Sequence, residues 1–164
     1  MPATYEPIQT TTLSSTSTLV TFSSIPATYT DLFVACQIQR TSATLNFRIT
    51  VNNDTSALYS YTRFSAPTAS TIASDRITGG ANWQPWWNGG AFTAISNFNF
   101  NLLNYTNTTT FKPVLFKNSE GSGEMTLTVG TYQSTNAINR IDFTAGTNSF
   151  AVGSTFTVYG IKAA

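Results

Sequence analysis

Along Leu45-Asn46-Phe47-Arg48-Ile49-Thr50-Val51 every second residue is apolar, so that four apolar side chains point one way and three polar ones the other. A period of two over this length is the mark of a half-buried β-strand. The residues that follow, Asn52-Asn53-Asp54, tolerate left-handed backbone, and Leu58 to Phe64 then resumes an extended pattern with Tyr59 and Tyr61 on one side. Together these two runs read as a hairpin. The same logic predicts strands over Thr18 to Phe22, Leu32 to Arg40, Phe92 to Leu103, Phe111 to Lys117, Met125 to Tyr132, Ile138 to Thr144 and Thr155 to Ile161, about nine in all. Between them lie Asn118-Ser119-Glu120-Gly121-Ser122-Gly123, Ser134-Thr135-Asn136 and Ala145-Gly146-Thr147-Asn148, all turn chemistry. Short strands set apart by regular turn signals predict a single-domain antiparallel β-sandwich, jelly-roll-like, with an immunoglobulin-like sandwich as the alternative. No repeat of fixed period supports a β-helix or a propeller.

Two segments depart from the alternation. Met1 to Ser17 is polar, Thr-rich and carries Pro2 and Pro7, which suits an extended N-terminal arm or, failing that, an edge strand ahead of a sandwich spanning residues 18–164. Tyr5 and Ile8 would anchor such an arm on a neighbouring subunit. The second segment, Ala66 to Gly90, reads as a long loop and gathers Trp83, Trp86 and Trp87 between glycines. Planar rings with a polar N–H serve equally as partner anchors, as a satellite core or as sugar platforms, and all three readings stand at this point.

Composition sharpens the fold class. Of 164 residues 41% are hydrophobic and 13% aromatic, enough for a packed core, while only 9% are charged, with three Glu and three Lys. Helices usually take their exposed faces from those charged residues, so a chain whose polar positions are mostly Thr, Ser and Asn is all-β. The formal net charge is +1 and the cations are scattered from Arg40 to Lys162, which gives no footprint for nucleic acid. No apolar stretch approaches the length of a membrane span, and the beginning has no secretory pattern, so folding in a reducing cytoplasm is expected. Cys36, the single cysteine, shares parity with Leu32, Val34 and Ile38 and is expected in the core as a free thiol.

Candidate chemistry is sparse. Histidine is absent, which removes the usual triad base, metal ligand and proton shuttle. A carboxylate pair from Glu6, Asp31, Asp54, Asp75, Glu120, Glu124 and Asp142 remains conceivable, as in glycosidases, but nothing in the spacing pairs any two. There is no phosphate-binding glycine loop, no Cys/His metal spacing and no complete calcium loop, so no catalytic residue, metal or cofactor is expected.

Several phrases carry a resemblance. Tyr5-Glu6-Pro7-Ile8 with Thr10-Thr11-Thr12-Leu13, Phe22-Ser23-Ser24-Ile25-Pro26 and Tyr29-Thr30-Asp31-Leu32 at the start are similar to small virion proteins of tailed phages, particularly cyanophages. So are Val51-Asn52-Asn53-Asp54-Thr55 with Tyr59-Ser60-Tyr61, and Gly153 to Ile161 at the close. The resemblance implies a jelly-roll-like sandwich, often trimeric, that decorates and cements a capsid or belongs to a head or tail appendage, and it carries over no active site. The expected function is therefore that of a non-enzymatic capsid cement or decoration protein of the virion, made in the host cytoplasm, with the major capsid protein and further copies of itself as partners. A carbohydrate- or receptor-binding module of a head or tail fibre is the alternative, with a glycan as partner. The Trp-bearing stretch lies outside the resemblance.

Overall fold

The computed structural model describes residues 5–42, 46–68, 70–85, 95–121 and 123–162. Eleven strands run in the order β1 (Tyr5–Thr12), β2 (Leu19–Phe22), β3 (Asp31–Ile38), β4 (Arg48–Val51), β5 (Tyr59–Thr68), β6 (Thr71–Gly80), β7 (Ser96–Leu102), β8 (Lys112–Glu120), β9 (Met125–Tyr132), β10 (Ile141–Thr144) and β11 (Thr155–Ile161), with no helix among the described residues. They form an eight-stranded sheet of order β1-β11-β3-β7-β8-β9-β5-β6 and a three-stranded sheet of order β2-β10-β4, both antiparallel. The chain alternates between the sheets from β1 to β5 and again from β9 to β11, which makes the single-domain sandwich jelly-roll-like.

Period-two alternation explains the core. In β3 the side chains of Leu32, Val34, Cys36 and Ile38 are buried while their neighbours look outward. Aromatic rings fill the space between the sheets: Phe47 meets Phe98 edge-on at 5.0 Å, Phe100 lies 5.1 Å from Phe116, and Phe143 of the small sheet lies 5.3 Å from Phe156 of the large one. Burial pushes the Cys36 thiol well above its ordinary pKa, which keeps it protonated and inert.

All nine expected runs contain a strand, but three expectations need correction. First, β4 and β5 are not a hairpin, because β4 pairs with β10 in the small sheet and β5 pairs with β6 and β9 in the large one. The turn residues Asn52 and Asn53 do adopt left-handed backbone, with φ of 54° and 55°, but they carry the chain across the sandwich. Tyr59 holds this crossing: its hydroxyl donates to the Asp54 carbonyl (2.8 Å) and accepts the Val51 N–H (3.0 Å).

Second, the segment from Ala66 to Gly90 is not one long loop, since Thr71–Gly80 forms the edge strand β6. Exposed on both faces for most of its length, it has no buried face to impose alternation. Third, Tyr5–Thr12 is an edge strand rather than an arm. It pairs with β11 from Tyr5 opposite Ile161 to Thr12 opposite Thr155, with an irregularity between Pro7 and Gln9.

Candidate interaction surface

The residues expected at an interface separate in the structure. Trp83 is completely buried, and its N–H and C=O bond with those of Ile49 (3.0 and 2.9 Å), so that it extends the small sheet alongside β4. Its ring packs edge-on against Tyr59 (5.0 Å) and Phe116 (5.5 Å), which makes it a core residue rather than a partner anchor. Trp86 and Trp87 lie outside the described residues. Ile8 is half-buried against the core from β1, whereas Tyr5 is 52% exposed and touches Phe33 edge-on at 5.9 Å.

The carboxylates hold structure together. Glu6 accepts from Lys162 (3.0 Å) and from the Tyr29 hydroxyl (2.9 Å), contacts that hold its pKa below the ordinary value. Asp75 pairs with Arg63, and Asp142 receives three hydrogen bonds from Arg140. Asp54 accepts from Ser56 and from the Tyr132 hydroxyl (2.6 Å), which lowers its pKa, and Asp31 takes the Asn104 N–H (2.7 Å). Arg40 and Glu120 form a buried ion pair at 3.0 Å. Glu124, almost entirely buried, is pushed up first by burial and then by the Glu120 charge, with Arg40 opposing. No group of three or more metal-ligating side chains occurs among the described residues.

The distinctive surface is the outward face of the large sheet near its β6 edge. Alternation along β9 would place Met125, Leu127 and Val129 inside, but the strand sits the other way round. Thr126, Thr128 and Gly130 are buried, while the three apolar side chains are 61%, 44% and 53% exposed. The inward contacts explain this register. A side chain at Gly130 would come within 3.1 Å of the Trp83 indole nitrogen, so glycine makes room for that ring. The Thr128 hydroxyl donates to the Pro85 carbonyl (2.9 Å), and Tyr132 lies against Tyr59 at 5.1 Å. A slip by one residue would undo all three.

Phe64, directly opposite Leu127 on β5, and Ile72 on β6 continue the patch at 51% and 86% exposure. With Met125 and Leu127 they line a shallow groove of about 410 Å3 bordered by Lys117. The five apolar side chains leave on the order of 500 Å2 in water, within the roughly 300–600 Å2 of a typical monomer's largest apolar patch, which is often a functional one. Sequence reasoning missed these residues because the Met-Thr-Leu-Thr-Val alternation that reveals the strand does not say which of its sides faces the core.

Farther along the same face, Phe33, Gln37, Asn97, Asn99 and Thr155 line a second groove of about 420 Å3. The rings of Tyr5 and Tyr159 flank Phe33 at 5.9 and 6.1 Å, so that aromatic faces adjoin amide and hydroxyl groups.

No family model and no curated protein matches this chain. Among solved structures it is similar to the Caenorhabditis elegans galectin LEC-6, at 9% identity and a TM-score of 0.37 over 91% of this chain and 94% of that one. It is also similar to the alginate lyase Aly36B, at 7% identity and a TM-score of 0.31 over 89% of this chain and 81% of that one. A third likeness, to protein SO2946 of Shewanella oneidensis MR-1, has 5% identity and a TM-score of 0.29 over 98% of this chain and 77% of that one.

Proposed function

We propose that the chain is a non-enzymatic structural protein of a phage particle, a capsid cement or decoration protein that works by protein contact. The observation that carries this reading is the apolar patch of Phe64, Ile72, Met125, Leu127 and Val129, held outward by a register that buries threonines instead. A domain with this much apolar surface in water gains by covering it, and a capsid surface or further copies of the chain, as in a trimer, would do so. The resemblance of several phrases to phage virion proteins supports the same reading, as does the engagement of the ion-paired carboxylates in contacts within the fold. In this reading the major capsid protein is the principal partner and the virion is the place of action.

The test is attachment to capsids stripped of the protein. Met125→Glu with Leu127→Glu changes only outward residues, so the double variant should keep its circular dichroism and melting temperature while losing capsid occupancy. Occupancy equal to that of the unchanged protein would remove the basis of the proposal. A second reading, a glycan-binding module of a fibre, is favoured by the Phe33 groove, where aromatic rings adjoin Asn97 and Asn99. Copy number in purified particles separates the two, since cement proteins coat the head in far greater numbers than fibres.

A further inference from the structure

The apolar patch has a charged rim of one sign. Lys117 on β8 stands directly opposite Leu127, and at the far corner Arg76 on β6 stands opposite Thr62, itself paired with Val129. Both cations are exposed, and neither has a carboxylate partner among the described residues. Three strand spacings across the sheet and one side-chain step along it set them about 16 Å apart. No acid on these strands offsets them, because Asp75 is held by the nearly buried Arg63, while Glu120 and Glu124 are buried.

This imbalance selects among the surfaces that could cover the patch. Two copies placed face to face would gather four cations around one apolar contact and supply no acid, which opposes association. Nor does another surface of the chain offer a free acid. Of its seven side-chain carboxylates, four already meet cations within the fold, Asp31 and Asp54 accept hydrogen bonds from the chain itself, and Glu124 is buried. An anionic membrane is a poor match too, since lipid-binding segments gather roughly four to eight cations and this patch has two. The groove among Phe64, Ile72, Met125 and Leu127, about 410 Å3, is a shape that receives projecting apolar side chains.

We infer that the patch docks on a different protein with an acidic rim, whose apolar side chains enter the groove while its carboxylates meet Lys117 and Arg76. Apolar burial supplies the affinity, and the two charges set the orientation and exclude self-pairing. The inference rests on the patch being the contact surface and assigns the chemistry of what covers it. In the cement reading this is an acidic site on the capsid protein, and copies of the chain join through other surfaces.

The test follows attachment of the purified protein to stripped capsids at increasing sodium chloride. Lys117→Glu, Arg76→Glu, Lys117→Gln and Arg76→Gln are compared with the double variant Met125→Glu with Leu127→Glu, and circular dichroism should show all of them folded. Each charge reversal should weaken attachment about tenfold and each glutamine a few-fold, and the unchanged protein should detach more readily as salt rises. Reversal variants that attach as well as the unchanged protein, while the apolar double variant does not, would overturn the acidic partner and leave the patch as the contact surface. No attachment of the unchanged protein at any salt would defeat both. Two further measurements address the other occupants. Sedimentation showing a dimer that the apolar double variant abolishes would overturn the inference in favour of a second copy. Binding to phosphatidylserine vesicles that the reversals abolish would overturn it in favour of a membrane.

Discussion

Replacing Trp83 with Ala decides whether this tryptophan is core or contact surface. The indole is completely buried, with Tyr59, Phe116 and Tyr132 at ring distances of 5.0, 5.5 and 6.3 Å. Truncation therefore leaves a cavity between the sheets, and large-to-small changes of this kind cost about 3–5 kcal/mol, a figure that already contains the aromatic contacts. The backbone bridge to Ile49 survives, since alanine keeps the same N–H and C=O. Against a total stability of roughly 5–15 kcal/mol the loss is large, and for a chain of this size it lowers the melting temperature by about 6–20 °C. The indole Nε1 has no hydrogen-bond partner among the described residues, so Trp83→Phe loses packing volume but no polar contact and should cost only about 1–2 kcal/mol. Urea unfolding followed by far-ultraviolet circular dichroism, together with sedimentation, measures both quantities. Two-state curves with equal slopes and a stability ranking of Trp, then Phe, then Ala are expected, with the assembly state unchanged. If the alanine variant kept its stability within about 1 kcal/mol and altered self-association instead, the buried placement of Trp83 would be refuted.

Three further outcomes follow from other contacts. Burial raises the folded-state pKa of Glu124 above its ordinary 4.5, so folding favours its protonated form, and the stability this contributes is lost as pH rises from that value through the folded pKa. Glu124→Gln should therefore melt higher than the unchanged protein at pH 7, the gap closing below about pH 4.5, and equal melting curves at both pH values would contradict this. Gly160→Ala would drive a methyl group to 2.3–2.4 Å from the Tyr29 ring, and such overpacking should cost about 1–3 kcal/mol, read from the urea midpoint. Deleting residues 1–12 removes the strand that covers β11, including the Thr10–Thr157 hydroxyl contact, so a lower melting temperature and aggregation in light scattering are expected.

The local pattern of the sequence determined a great deal. Alternation located nine of the strands and put Leu32, Val34, Cys36 and Ile38 on a buried face, because side-chain direction along a strand is a property of consecutive residues. Scarcity of Glu and Lys determined the all-β class in the same local way. What the pattern does not contain is the identity of a strand's neighbour. The assignment of β4 and β5 to different sheets, the pairing of β1 with β11 and the edge position of β6 all depend on hydrogen bonds between residues far apart in the chain. The apolar patch belongs to that second kind of information. Met125, Leu127 and Val129 alternate as core residues do, and contacts with distant segments, Gly130 beside the Trp83 ring, Thr128 with Pro85 and Tyr132 with Tyr59, turn them toward the outside.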